Sequence, residues 1–191
     1  MASLTTYART TITEELARPP LVVLSGPPGS GKTTMAVPLA RSLGLPLIAK
    51  DTIKEALMDA LGVDGVDRSR ELGRATFAVM FELAGALLDV GSGLVLEANF
   101  GRGLAEGELG PLAARARAVV VHCWAPREVR LARYRDRPGR HPGHRDGERA
   151  DLAVLDGPSS EPPDLGVPCL RVDTSATWEL DDVARWVSAR L

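Results

Sequence analysis

The stretch Gly26-Pro27-Pro28-Gly29-Ser30-Gly31-Lys32-Thr33 constrains this chain more than any other. It meets the pattern G-x-x-x-x-G-K-[ST] at every specified position. The apolar run Leu21-Val22-Val23-Leu24 precedes it and reads as a buried strand; Thr34-Met35-Ala36-Val37 follows and opens a helix. Strand, glycine loop and helix in that order are the context the pattern needs. Glycines let successive backbone N–H groups converge on one centre, and the helix N-terminus adds positive potential. A triphosphate suits such a cradle. Gly26, Gly29, Ser30, Gly31 and Thr34 would surround it, Lys32 would reach its β and γ phosphates, and Thr33 would ligate Mg²⁺.

Around this loop the chain alternates strand and helix patterns. Strands are predicted at 21–24, 45–49, 94–96, 118–124 and 168–173. Helices are predicted at 34–43, from Thr52 onward, and at 69–90, 104–117, 126–136 and 178–191. Pro38 lies inside the first helix and Gly44 marks its end. Thr52 with Glu55 reads as a capping box. In the longest helix Leu72, Thr76, Val79, Met80, Leu83, Leu87 and Val90 recur at three- and four-residue spacing, and Phe77 and Phe81 widen the stripe. In the last helix Val183, Trp186, Val187 and Leu191 share a face. Strands separated by helices predict an α/β fold: a single-domain P-loop NTPase with a five-stranded, mostly parallel sheet and helices on both faces. Residues 1–19 read as an appendage with a short helix at 10–18, and residues 20–191 as the domain. Residues 137–166 are rich in Gly, Pro, Arg and Asp, with a short helix expected at 146–155.

Composition narrows the classes. A chain of 191 residues with 45% hydrophobic and 25% charged residues can bury one real core. A net charge of −2 gives no global attraction to nucleic acid or anionic membrane. Cys123 and Cys169 form no CxxC or zinc pattern, so reduced thiols are expected. The first twenty residues carry no apolar signal core, and no apolar run approaches the ~18 residues of a membrane helix. The expectation is a cytoplasmic protein with no membrane partner. Only three of the 23 basic residues are lysines, and Lys32, Lys50 and Lys54 all fall in or just after the predicted site. A lysine kept against that bias suggests a place for a compact ammonium.

Ligands of such sheets gather at the carboxyl ends of the strands. Asp51 follows the second strand there and is the leading candidate for a base that takes a hydroxyl proton. Its competing reading is a helix N-cap, a role the Thr52/Glu55 box already supplies. Lys54, one helical turn on, is a candidate contact for substrate or phosphate. Glu97 ends the third strand, where an acid can hold Mg²⁺ through water or orient the nucleophile. Asn99 and Arg102 lie just beyond, as substrate contacts or plain loop residues. Arg127, Arg130, Arg133, Arg135, Arg137, Arg140, Arg145 and Arg149 crowd one segment. This pattern reads as a lid, about 127–150, closing arginines over ATP phosphates. A solvated helix or a nucleic-acid patch are the alternatives; the segment holds one aromatic residue, Tyr134, too few for base stacking. His141-Pro142-Gly143-His144 is a loop with no third metal ligand nearby, and His122 reads as packed within its strand. Asp173 and Thr174, after the last strand, are placed by spacing beside the adenine.

Taken together, Gly-Pro-Pro-Gly-Ser-Gly-Lys-Thr-Thr at 26–34, Leu-Ile-Ala-Lys-Asp-Thr-Ile-Lys-Glu at 47–55, Val-Leu-Glu-Ala-Asn-Phe at 95–100, the arginine-rich segment 126–149 and Val-Asp-Thr-Ser at 172–175 resemble small P-loop kinases. The nearest types are chloramphenicol phosphotransferase, zeta-toxin and phage polynucleotide kinase. The resemblance implies Asp51 as general base, Lys32 and Thr33 at the nucleotide, and Arg130, Arg133 and Arg137 as lid arginines on ATP. Polynucleotide kinases carry Arg three residues after the base, where this chain has Lys54. The expectation is therefore an ATP- and Mg²⁺-dependent kinase acting on a hydroxyl of a small molecule. A 5′-hydroxyl polynucleotide kinase and a nucleotide-dependent switch or ATPase are the rivals.

Overall fold

The buried runs Pro20–Ser25, Leu94–Glu97 and Arg117–Trp124 form the middle of a five-stranded parallel sheet covered by helices on both faces. The computed structural model describes residues 18–136, 141–144 and 160–191. The strands are β1 Pro20–Ser25, β2 Leu47–Ala49, β3 Leu94–Glu97, β4 Arg117–Trp124 and β5 Cys169–Asp173. They lie in the order β2-β3-β1-β4-β5 and every pairing is parallel. The helices among the described residues are α1 Lys32–Leu43, α2 Lys50–Leu61, α3 Gly65–Asp89, α4 Glu106–Ala114, α5 Arg127–Arg135 and α6 Leu180–Ser188. A 3₁₀ turn spans Pro142–His144.

The central strand shows how the two-residue period builds two cores. Leu21 and Val23 face one layer with Met80, Ala84 and Leu88 of α3 and Leu109 and Leu112 of α4. Val22 and Leu24 face the other with Met35, Ala36 and Leu39 of α1 and Val183 and Val187 of α6. All four strand residues are fully buried. Burying each such side chain contributes about 1.5–3 kcal/mol. The chain leaves β1 for β2, returns through β3, and then crosses β1 to reach β4. The neighbours β1 and β3 therefore send their exits to opposite sides, and the carboxyl ends of these two strands form the switch point where ligands bind.

Three expectations need correction. Helix α2 begins at Lys50 with Ala49 as its N-cap, and no side chain caps it. Thr52 thus lies inside the first turn, and the Thr52/Glu55 capping box does not form, because β2 runs straight into the helix. On α3 the buried residues are Ser69, Leu72, Thr76, Met80, Ala84 and Leu88. Val79, Leu83 and Val90 are exposed, because the helix meets the sheet along its every-fourth-residue ridge. Helices α4 and α6 are several residues shorter than their patterns. The helices expected at 10–18 and 146–155 fall almost entirely outside the described residues, as does Arg137.

Candidate active site

The donor cradle follows from β1. Residues 26–31 loop from its end into α1, and Gly26, Gly29 and Gly31 take φ of 149°, 75° and 81°. A Cβ on Gly29 would lie 2.4 Å from the Arg130 carbonyl oxygen, and one on Gly26 2.3 Å from that of Cys123. Only glycine fits against β4 and α5 there. Lys32 Nζ folds back over the loop and donates to the Pro27 carbonyl at 3.4 Å. A cavity of about 480 Å³ opens over this loop, lined by Gly31, Lys32, Thr33, Thr34, Arg133 and Asp136 among others.

Its far wall comes from β5 and α5. Thr174 Oγ1 donates to the Ser30 carbonyl at 2.8 Å, tying the end of β5 to the phosphate loop. Arg133 donates from Nη1 to Thr174 Oγ1 at 2.9 Å and from Nη2 to the Thr174 carbonyl at 2.7 Å. Its Nη1 also faces the Gly29 carbonyl at 3.4 Å. Arg133 thus lines the cavity while bracing its wall. Arg130 is buried, with Nε on the Ala125 carbonyl at 3.0 Å. Asp173 turns to its own chain: its carboxylate accepts from the amide and hydroxyl of Ser175 at 2.9 and 2.6 Å. These bonds, the hydroxyl's first, hold its carboxyl below the usual range.

The other side of the cleft is acidic. Parallel pairing sets Glu97 in register between Leu24 of β1 and Ala49 of β2. Glu97 therefore lies between the phosphate loop and the start of α2, where Asp51 sits. Thr33 Oγ1 donates to Glu97 Oε1 at 3.3 Å. Burial pushes the Glu97 carboxyl above its ordinary range; Lys32 opposes the rise and Asp51 adds to it. Asp51 is partly exposed and pairs with Lys50 at 3.5 Å. Lys50 also sits 5.6 Å from the Phe77 ring centre. Asn99, two residues beyond Glu97, is half-buried.

Two expected substrate contacts make hydrogen bonds within the fold. Lys54 is buried, and its Nζ donates to Ser69 Oγ on α3 at 3.1 Å, joining the two helices. Arg102 clasps the chain returning at 161–162, with its amide on the Glu161 carbonyl at 3.3 Å and its Nε on the Pro162 carbonyl at 3.4 Å. His122 is packed within its strand as expected, but its partners and those of His141 and His144 went unread in the sequence. His122 is buried beneath the loop: its Nε2 donates to the Ser160 carbonyl at 3.1 Å, and its Nδ1 lies 3.1 Å from Ser25 Oγ. Burial pushes its pKa down to about 4. His144 Nε2 lies 2.8 Å from Glu55 Oε1 and His141 Nε2 3.0 Å from Asp59 Oδ1. The His-Pro-Gly-His spacing was visible, but its partners, four residues apart on α2, become apparent only in the fold.

The residues fit a magnesium-bound triphosphate. The glycine cradle admits no Cβ at Gly26 or Gly29, residues at the start of α1 line the cavity, and Lys32 supplies one ammonium. Thr33 and Glu97 offer the oxygen ligands that Mg²⁺ prefers.

Fold and site together define a P-loop NTPase of the kinase-like kind. The model of an AAA domain family matches residues 21–158, most of the sheet included, so the chain belongs to that family. A Chloroflexus aurantiacus protein, provisionally described as a kinase, has a crystal structure that matches 91% of this chain and 99% of its own, with a TM-score of 0.83 at 32% identity. The cytidylate kinase of Ignicoccus hospitalis is 32% identical over 120 residues, or 62% of this chain and 65% of that protein. The chain thus spans just under two thirds of that relative's length. The APS kinase of Mycobacterium tuberculosis, solved with AMPPNP and APS, shares the fold at a TM-score of 0.59 and 20% identity, over 91% of this chain and 97% of its own. Among the described residues no helix is long and apolar enough to cross a membrane.

Proposed function

We propose that the protein is an ATP- and Mg²⁺-dependent kinase that phosphorylates a hydroxyl of a small molecule, of the chloramphenicol phosphotransferase and zeta-toxin type. The carrying observation is the Asp51 carboxylate on the first turn of α2, beside Glu97 and across from Lys32 and Thr33. A hydroxyl must lose a proton as it attacks, and a carboxylate at the acceptor side takes it. A phosphate acceptor arrives already ionised and would meet two carboxylates instead.

Each residue then has a task. The glycine loop and the start of α1 bind the donor phosphates through backbone amides, and Lys32 holds their β and γ charge. Mg²⁺, when bound, neutralises charge on the transferring group, and Thr33 with Glu97 would hold it. Thr34 and Thr174 flank the nucleotide, and Arg133 braces its wall. Arg130 and Arg137 belong to the lid, assigned to about 127–150 within a domain running from 20 to 191. Asp51 orients the acceptor hydroxyl and receives its proton, with Asn99 assigned as a further acceptor contact.

The cytidylate kinase relatives favour a second reading, in which the acceptor is a nucleoside monophosphate. A panel with ATP and Mg²⁺ separates the two: antibiotics, sugars, amino-sugars and nucleosides against CMP and a 5′-hydroxyl oligonucleotide. Labelled phosphate on a small alcohol is the expected result. Preferred transfer to CMP would overturn it, as would transfer only to the oligonucleotide, or hydrolysis with no acceptor at all.

A further inference from the structure

The 3₁₀ turn Pro142–His144 packs on α2 far more closely than a solvated loop would. His144 is 2% exposed and its Nε2 donates to Glu55 Oε1 at 2.8 Å. His141 Nδ1 accepts the Gly143 amide at 3.0 Å, which leaves Nε2 as the donor to Asp59 Oδ1 at 3.0 Å. A Cβ on Gly143 would lie 2.5 Å from Val63 Cγ1 and 2.9 Å from Met58 Sδ, so the glycine is what lets the backbone press onto the helix.

Spacing makes the contact specific. Asp51, Glu55 and Asp59 recur every four residues and share one face of α2. The two histidines, three residues apart, meet the last two members of that row. The segment therefore docks on the face that carries Asp51. Only four residues, 137–140, separate His141 from Asp136 at the end of α5. Helix α5 is itself bound to the phosphate loop through Gly29 and Thr174. On another side of α2, Lys54 reaches Ser69 on α3. Helix α2 is held from both directions, by Ser69 on α3 and by the two histidines that follow α5 in the chain.

We propose that His141 and His144 are positioning residues: through Asp59 and Glu55 they fix α2, and with it Asp51, relative to the donor cradle. This rests on the reading of Asp51 as the acceptor-side base. Misplacing a reacting group by an ångström can cost on the order of a hundredfold in rate.

The test compares Glu55→Ala with Glu55→Gln in the full chain, since Glu55 is partly exposed and its loss leaves the core intact. Gln keeps an oxygen that accepts from His144; Ala does not. Expected for Glu55→Ala are faster hydrogen exchange across α2 and a kcat for transfer lower by roughly ten- to a hundredfold. Affinity for a non-hydrolysable ATP analogue should stay within about twofold, and Glu55→Gln should match wild type in all three readouts. Unchanged α2 exchange in Glu55→Ala overturns the proposal, as does an equal loss in the Ala and Gln variants. Exchange needs no acceptor, so it reads the tie even if the panel above finds no alcohol substrate. In that case the exchange difference supports the tie, and the kinase reading alone falls.

Discussion

The two halves of the cleft are built from different materials. The donor half, at the ends of β1, β4 and β5, is made of backbone. Three positive-φ glycines, the Ser30 and Gly29 carbonyls and the Thr174 hydroxyl set its shape, and Lys32, Arg133 and Asp136 bring charge to its lining. The acceptor half, at the ends of β2 and β3, is made of charged side chains: Asp51 with Lys50, buried Glu97, and the Glu55 and Asp59 pairs with histidine. A polyphosphate presents the same oxygens every time, so fixed amides suffice for it. On the proposed reading an acceptor hydroxyl must be oriented and deprotonated, which takes ionisable groups at set positions.

Substitutions should therefore break the halves in different ways. Asp51→Asn should lower kcat by on the order of 10²–10⁴ while leaving ATP-analogue affinity unchanged. Single-turnover transfer measured beside analogue titration reads both; a wild-type rate removes Asp51 as the base. Lys32→Ala should lower transfer by roughly 10²–10³ and weaken analogue binding as well. Equal effects on binding from both variants would erase the distinction between the halves.

A smaller effect tests the backbone argument. Gly29→Ala places a methyl against the Arg130 carbonyl at a positive φ. It should cost about 1–3 kcal/mol of stability, or roughly 2–4 °C of Tm for each kcal/mol in a chain of this size. Neutral behaviour in thermal melts would mean that the cradle relaxes freely.

The smallest effect has the opposite sign. Burial and the neighbouring Asp51 hold the Glu97 carboxyl above its ordinary range, against the pull of Lys32. A carboxyl raised in the fold costs stability as pH climbs from its unfolded range through its folded one, and the cost stays in place above that. Glu97→Gln should melt higher than wild type near neutrality, with the gap closing as pH falls into the ordinary carboxylate range. It should also transfer phosphate more slowly. Melts from about pH 4 to pH 8 would contradict this if wild type were the more stable protein at neutral pH.

The donor half was legible in the sequence because its determinants are consecutive: an apolar run, a glycine pattern and a helix start. The strand order was not, since nothing local says that β3 lies between β1 and β2. Yet that insertion is what carries Glu97 to Thr33. The Thr52/Glu55 pair misled because Thr-x-x-Glu is a local signal, and the direct passage of β2 into α2 overrode it. Lys54 stood out by composition and proved to join two helices. The α3 stripe was over-counted at Val79, Leu83 and Val90, since a run of apolar residues does not say along which ridge a helix meets its sheet. The histidine ties needed the fold itself, because Glu55 and His144 are 89 residues apart.

Strand β2 is three residues long and pairs with β3 alone, at the edge of the sheet. The helix that carries Asp51 thus hangs from the least anchored strand, while the phosphate loop hangs from the strand buried at the centre. The exposed positions on α2 take no part in the ladders that join β1 to β3 and β4. The design is a fixed chuck with an interchangeable bit: one way of gripping the nucleotide can serve many acceptors, and new specificity can arise at the margin of the sheet without refolding its middle.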